Sequence, residues 1–180
     1  TDLLPALYSN IHSASMTVTV NADIIATGLG WDLAFEMWLA PEDPTKALTN
    51  PMFEIMVFFG NHANYYPTTP TCDASATSYH CGTQVSDGSN SYTLYYASEN
   101  WGSPAYTYLQ YRDSANTSNA QFSGTLDIYK FLQAVNPPGD LYLTRFELGD
   151  ETYQGSQGKT IIKDISFEVN GTTEAAPVSY

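Results

Sequence analysis

Alternating apolar and polar positions dominate this chain of 180 residues. Residues 16–20 read Met-Thr-Val-Thr-Val, which puts the three apolar side chains on one face of a half-buried strand. Segments of the same kind recur, most of them between turn-rich stretches: 22–27, 30–40, 52–60, 92–98, 105–112, 140–148 and 159–169. Many short strands with Gly and Pro turns are typical of a sandwich or barrel, so we predict an all-β fold.

One segment, residues 124–135, follows a helical period instead. Its apolar positions are spaced i, i+3, i+4 and i+7: Ile128, Phe131, Leu132 and Val135. The segment stops before the sequence Asn-Pro-Pro-Gly, which favours the end of a helix. We therefore predict one short helix, packed on the outside of the sandwich.

The sequence contains no internal repeat and no domain boundary that its composition would mark. A chain of this length can bury roughly two thirds of the surface that its unfolded form exposes. We predict a single domain over residues 1–180, in which residues 171–180 form a flexible tail.

Charge limits the class of partner. Six Lys and Arg against 19 Asp and Glu give a formal charge of -13 and a pI near 4.2, so nucleic acid and anionic membranes would be repelled. Aromatic residues make up 14% of the chain and charged residues only 14%, a profile that suits a secreted all-β protein. We expect a secreted, extracellular monomer with a neutral partner.

Several weaker signals agree with secretion. Cys72 and Cys81 would close a short loop by a disulfide, and Asn116 and Asn170 each begin an N-glycosylation sequon. No apolar run reaches the roughly 18–20 residues that span a bilayer, and the chain reads as a mature secreted form. The spacing of His and Cys matches no zinc pattern, so we expect no metal and no cofactor.

Two glutamates in strand-like sequence carry the candidate chemistry. Glu54 lies inside the apolar run 53–59, and Glu151 lies in the segment 147–153. A carboxylate in an apolar strand is costly unless it faces a wet cleft or a partner. The period of two puts Met56 and Phe58 on the face of Glu54, and puts Asp32, Ala34, Glu36 and Trp38 together on a face of strand 30–40. Carboxylates mixed with aromatic side chains suit a sugar-binding groove.

The order of these motifs resembles glycoside hydrolase family 12, the small retaining endo-β-1,4-glucanases with a jelly-roll fold. The resemblance covers residues from about 20 to 170 and rests on four segments: 30–35, 53–60, 122–126 and 147–155. It implies a jelly-roll sandwich of two antiparallel sheets, a neutral β-glucan as the partner, and cleavage by two carboxyl groups.

The resemblance also implies roles for individual residues. Glu54 would be the nucleophile and Glu151 the general acid/base, with Asp32 beside the nucleophile and Met56 next to it in the groove. Phe58 stands where the family has Trp.

Two further side chains are assigned to the substrate from their position alone. The role of Trp38 in substrate binding is inferred only from the face that it shares with Asp32. Glu147 has the same parity as Glu151 and is the substitute acid, whereas Asp150 should point to the opposite face.

Two alternatives stay open at this point. The chain could be a noncatalytic carbohydrate-binding or structural sandwich derived from the same fold. It could also be a polysaccharide lyase, although such enzymes generally use basic residues against the uronate carboxylate, and Arg112 and Arg145 are the only arginines.

Overall fold

The computed structural model describes residues 3–28, 30–41, 52–62, 82–87, 90–101, 106–113 and 121–175. The predicted Cys72–Cys81 disulfide and Asn116 lie outside these residues. Eleven strands are described: β1 Ala6–Leu7, β2 Ala14–Thr27, β3 Trp31–Ala40, β4 Phe53–His62, β5 Gln84–Ser86, β6 Ser91–Trp101, β7 Tyr106–Asp113, β8 Gln121–Leu126, β9 Tyr142–Thr152, β10 Ser156–Val169 and β11 Thr172–Ala175. A 3-10 turn at Tyr8–Asn10 and one α-helix, α1 Ile128–Val135, complete the described elements.

The strands form two sheets, which confirms the predicted all-β sandwich. The larger sheet has seven strands in the order β1-β9-β3-β4-β7-β6-β5, and the smaller has four in the order β11-β10-β2-β8. Neighbouring strands are antiparallel with one exception, because β4 and β7 run parallel. The predicted jelly-roll sandwich of two antiparallel sheets is therefore confirmed, with this parallel pair as a local exception.

Alternation along the strands builds the core, as the sequence pattern predicts. One face of β3 lies almost fully buried between the sheets, at 3% exposure or less: Trp31, Leu33, Phe35, Met37 and Leu39. Met16, Val18 and Val20 of β2 meet this layer from the smaller sheet. Each buried apolar side chain of this size contributes about 1.5–3 kcal/mol. The opposite face of β3 is therefore free to carry polar groups.

The helix α1 begins later than predicted. Residues 124–126 belong to strand β8, where they pair with β2, and Asp127 then caps the helix by accepting a hydrogen bond from the Lys130 amide. The predicted apolar stripe is buried against the core. The Tyr111 hydroxyl donates to the Phe131 carbonyl at 2.7 Å, which fixes the helix to the larger sheet. No helix in the described parts of the chain is long and apolar enough to span a membrane.

A hairpin corrects the prediction of a tail that starts at residue 171. Thr172–Ala175 form β11, which pairs antiparallel with β10. Asn170 and Gly171 connect the strands with positive φ angles of 51° and 80°, the backbone of a two-residue type I′ turn. Asn-Gly is the preferred sequence for this turn, so residues 170 and 171 indicate a hairpin as well as a glycosylation sequon.

The Asn170 side chain also holds the beginning of β2 in place. Its Oδ1 accepts from the amides of His12 at 2.9 Å and Ser13 at 3.3 Å, and its Nδ2 donates to the Asn10 carbonyl at 2.9 Å. A glycan on Asn170 would be attached through the same nitrogen that makes the last of these bonds. The side chain therefore has a structural role in the described fold.

Replacing Asn170 should separate the contribution of its side-chain hydrogen bonds from that of its positive φ angle. We expect Asn170→Gly to lower the free energy of unfolding by about 1–3 kcal/mol, because it keeps the backbone freedom but loses the side-chain bonds. Asn170→Ala should cost roughly 1 kcal/mol more, because alanine disfavours the positive φ. Urea denaturation measures both. Equal stability of the glycine variant and the parent would contradict a role for the side chain.

Candidate active site

The face of the larger sheet opposite the core gathers acidic side chains from three adjacent strands. This surface is called the acidic face below. Three rows cross β3, each with one residue from β4 and one from β9: Glu54–Trp38–Arg145, Met56–Glu36–Glu147 and Asn61–Asp32–Glu151. Five carboxyl groups and one guanidinium therefore lie on one face of three strands.

A bulge in β9 puts its polar residues on this face. The register between β3 and β9 shifts between Trp38 and Leu39, so that Leu143 and Arg145 are both paired and Thr144 is the extra residue. The Thr144 hydroxyl donates to the Trp38 carbonyl at 3.0 Å. Because a bulge changes which face the following side chains occupy, Leu143 stays in the core while Arg145 and Glu147 reach the acidic face.

Glu54 is nearly buried, at 8% exposure. The pKa of Glu54 is raised to about 7: burial is the largest cause and the charges of Glu151 and Glu147 act in the same direction, whereas a hydrogen bond from Tyr106 and the charge of Arg145 lower it. The mutual charge effect puts Glu54 and Glu151 in one electrostatic environment.

Glu36 and Glu147 form a carboxyl–carboxyl pair next to Glu54. Burial raises the pKa of Glu36 to about 8, and the charges of Glu54 and Glu147 and a hydrogen bond with Glu147 act in the same direction. Such a bond needs a proton on one of the two groups. The raised pKa assigns that proton to Glu36.

Arg145 is held by Trp38 and Glu147. Its Nη2 donates to Glu147 Oε2 at 2.9 Å, and the indole Nε1 of Trp38 donates to the same oxygen at 3.0 Å. The guanidinium lies 5.0 Å from the centre of the Trp38 ring, and Tyr106 contacts that ring edge-on at 5.2 Å. Trp38, a predicted sugar-stacking residue, therefore already has a cation beside its ring.

Asp32 is located beside Glu151, which corrects the expectation that it lies next to Glu54. Its partner on β4 is Asn61, seven residues beyond Glu54. Since a strand advances about 3.3 Å per residue, Asp32 and Glu54 lie far apart along the sheet. Asp32 is fully buried. Burial raises its pKa to about 8, and the nearby charge of Glu151 contributes, while a hydrogen bond from Tyr153 opposes the rise.

Glu151 is exposed and bonded to Tyr153, whose hydroxyl donates to Glu151 Oε2 at 2.5 Å. The predicted opposite orientation of Asp150 agrees with the geometry, since Asp150 accepts from Thr160 of β10 at 2.5 Å.

The turn that carries Tyr153 is fixed to the strand that carries Asp32. The Ser156 amide donates to the Tyr153 carbonyl at 2.7 Å, and Gly155 has a φ of 82°. Tyr153 and Ser156 both donate to the Gly30 carbonyl, just before β3. A Cβ on Gly28 would lie 2.2 Å from the backbone of this turn, so only glycine permits the close approach.

A small apolar cluster lies on the same face. It contains Met56 and Phe58, two of the predicted site residues, together with Ala34 and Tyr108, all at 2% exposure or less. The Tyr108 hydroxyl donates to Met56 Sδ at 2.8 Å. Phe58 is thus packed among side chains and does not present an open ring, and Met56 packs beside it.

Four buried polar atoms of the described residues have no hydrogen-bond partner, and all belong to residues of this face: Asp32 Oδ1, Glu54 Oε2, Gln110 Nε2 and Arg145 Nε. An unsatisfied buried polar atom costs about 1–3 kcal/mol. Such atoms gathered on one face favour a site that a ligand completes. Within the described residues, no group of three His, Cys, Asp or Glu could hold a metal ion.

Some residues of the acidic face were not singled out from the sequence. Glu36 was assigned to the correct face by its parity, but its position beside Glu54 depends on the register. Tyr106 and Tyr153 reach the carboxylates from a parallel neighbour and from a turn, and no pattern in the sequence indicates either contact.

The sequence profile of glycosyl hydrolase family 12 matches residues 3–171. The chain belongs to glycosyl hydrolase family 12. This agrees with the resemblance identified from the four sequence segments. No curated protein matches the chain in sequence.

Solved structures share the fold of this family 12 chain. An endoglucanase from Rhodothermus marinus is 18% identical, with a TM-score of 0.68, over 94% of this chain and 67% of that one. A family 12 xyloglucanase from Bacillus licheniformis is 19% identical, with a TM-score of 0.66, over 93% and 67%. The endoglucanase 3 of Trichoderma harzianum is 17% identical, with a TM-score of 0.63, over 94% and 68%. The chain spans about two thirds of their length.

Stability should decrease as the pH rises from about 5 to about 8. Asp32, Glu36 and Glu54 have pKa values raised to about 8, 8 and 7, so the folded state binds these protons more tightly than the unfolded chain. Their stabilising effect is complete below the ordinary carboxyl pKa and is lost as the pH passes through the raised values. Thermal denaturation across this range should show a falling midpoint.

Glu36→Gln should flatten this pH profile, because it removes one of the three groups. The exposed Glu174→Gln should leave the profile unchanged. A midpoint that rises with pH in the parent would contradict the burial of protonated carboxyl groups.

The close approach at Gly28 should be essential for the turn. We expect Gly28→Ala to lower the free energy of unfolding by about 2–4 kcal/mol, because the added Cβ meets backbone. Gly82→Ala is the matched control, since Gly82 also has a positive φ but open space around it. It should cost only about 1–2 kcal/mol. Similar losses in denaturant titrations of the two variants would contradict the steric argument.

Proposed function

We propose that the protein is an endo-acting β-1,4-glucan hydrolase that retains anomeric configuration, with Glu54 as nucleophile and Glu151 as general acid/base. The observation that supports this most is that Glu54 and Glu151 lie on the same face of the larger sheet, where the charge of Glu151 raises the pKa of Glu54. Membership of family 12 makes a glycosidic bond the natural target. The endoglucanase and xyloglucanase names of the structural neighbours favour a β-glucan.

The reaction follows two displacements. The Glu54 carboxylate attacks the anomeric carbon, the bond to the leaving oxygen breaks, and Glu151 gives its proton to that oxygen. Glu151 then takes a proton from a water molecule, whose oxygen attacks the same carbon and releases Glu54. Each displacement inverts the carbon, so the product keeps the original configuration.

Two neighbours of Glu54 favour the ionised form that a nucleophile needs, although burial opposes it. Its pKa of about 7 means that the attacking carboxylate forms only as the pH approaches neutrality in the free enzyme. Tyr106 donates to it and Arg145 contributes positive charge, and both favour the ionised form. Glu36, protonated beside it, adds no negative charge.

The two glutamates can be tested together. We expect Glu54→Gln and Glu151→Gln to reduce release of reducing sugar from barley β-glucan by at least about 10³-fold, since each removes an essential reacting group. Glu174→Gln is the matched control and should keep parental activity. Parental activity that survives both substitutions would refute the residue assignment.

The stereochemistry gives an independent measurement. Proton NMR during hydrolysis should detect the β-anomer first, before mutarotation. Azide should restore turnover of an aryl β-cellobioside by Glu151→Ala and yield the β-glycosyl azide. Binding of a glucan without any hydrolysis by the parent would instead favour the noncatalytic carbohydrate-binding alternative.

The proposal includes an extracellular location, because a polymeric glucan must be cleaved outside the cell. The acidic, aromatic-rich composition supports this setting. Cys72 and Cys81 would then be oxidised to a disulfide. Alkylation of the native protein with and without reductant, followed by mass spectrometry, should detect two protected thiols.

A further inference from the structure

We propose that Asp32 and Tyr153 form a positioning relay for Glu151, in which Asp32 donates a hydrogen bond to Tyr153 and Tyr153 donates one to the Glu151 carboxylate. This inference rests on the proposed function and extends it. In that function Glu151 must be oriented toward the leaving oxygen and must remain stable as a carboxylate after it has lost its proton. The relay would meet both needs.

The distances support a chain of three groups. The Tyr153 hydroxyl oxygen lies 2.5 Å from Glu151 Oε2 and 3.4 Å from Asp32 Oδ2. Asp32 and Glu151 are also direct partners in the register between β3 and β9. The hydroxyl therefore lies between two carboxyl groups of adjacent strands.

Backbone hydrogen bonds and burial hold two members of the relay, Tyr153 and Asp32, in place. Tyr153 donates its amide to the Gly30 carbonyl at 3.1 Å, and the turn after it closes on Ser156. Asp32 is fully buried one residue into β3. Asp32 and Tyr153 are thus held by burial and by backbone hydrogen bonds, and the bond from Tyr153 restricts the exposed side chain of Glu151.

The proton count fixes the direction of the chain. A phenol has one hydrogen, so Tyr153 cannot donate to two ionised carboxylates at once. Among the described side chains, the titratable groups that interact electrostatically with Asp32 are Glu151 and Asp150 of β9, Tyr153 of the turn and Tyr108 of β7. Burial raises the pKa of Asp32 to about 8, so it holds a proton at neutral pH. Asp32 can then donate to Tyr153, which leaves the phenol hydrogen for Glu151.

The relay predicts a loss that depends on the leaving group. We expect Tyr153→Phe to reduce kcat/KM for aryl β-cellobiosides with poor leaving groups by about tenfold, because Glu151 must then protonate the leaving oxygen without support. For 2,4-dinitrophenyl β-cellobioside, whose leaving group needs no proton, kcat/KM should change by less than about threefold. A purely structural role would reduce both values equally and would overturn the relay.

Variants of Asp32 test its part. Asp32→Asn keeps a neutral hydrogen-bond donor and should retain most of the activity, whereas Asp32→Leu, of similar size but without a donor, should behave like Tyr153→Phe. Thr160→Val is the matched control, because it removes a 2.5 Å bond to Asp150 on the other face of the same strand. Equal effects of Asn and Leu at Asp32, or an equally large leaving-group effect in Thr160→Val, would overturn the relay.

A second readout does not require activity. Carboxyl ¹³C NMR of the protein should show the Asp32 titration moving to lower pH in Tyr153→Phe, because a hydrogen bond that Asp32 donates favours its protonated form. It should also move to lower pH in Glu151→Gln, because the charge of Glu151 raises the pKa of Asp32. The titration should not move in Thr160→Val. An Asp32 titration unaffected by both Tyr153→Phe and Glu151→Gln would overturn the relay. Loss of all parental hydrolysis with the NMR shifts intact would instead refute the proposed function alone.

Discussion

The acidic face depends on one electrostatic constraint: carboxyl groups that are buried close to one another cannot all be ionised. Asp32, Glu36 and Glu54 are withdrawn from water on three rows of adjacent strands, and the charge of each glutamate there disfavours the charge of the next. On these three strands the single guanidinium of Arg145 is not enough to neutralise them. The raised pKa values of Asp32 and Glu36 keep both groups protonated at neutral pH, and the proton on Glu36 makes its hydrogen bond with Glu147 possible.

The apolar core makes this arrangement possible. Alternate residues of β3 pack between the sheets, so the strand cannot rotate or slip without exposing them to water. Their polar neighbours are therefore fixed at the spacing of the strand. The bulge at Thr144 adds the guanidinium and Glu147 to the same surface without moving Leu143 from the core.

Much of this could be predicted from the sequence, because side-chain parity is a local property. The shared face of Glu54, Met56 and Phe58, the buried stripe of the helix and the opposite orientation of Asp150 all follow from strand or helix period. The position of Asp32 could not be predicted in this way, since it depends on which residue of β4 lies opposite. Tyr153 acts from a turn that closes only because Gly28 approaches it, and no periodicity carries that information.

The parallel pairing of β4 and β7 has a consequence for how the molecule folds. Parallel neighbours cannot be joined by a tight turn, and here β5 and β6 lie between them in the chain. Tyr106 therefore meets Glu54 only after a segment of about fifty residues has been organised, a contact of high sequence separation that forms slowly. The same long-range pairing brings Leu109 and Tyr111 of β7 into the core beside Ile55 and Val57, so the pocket around Glu54 and this part of the core depend on one pairing event.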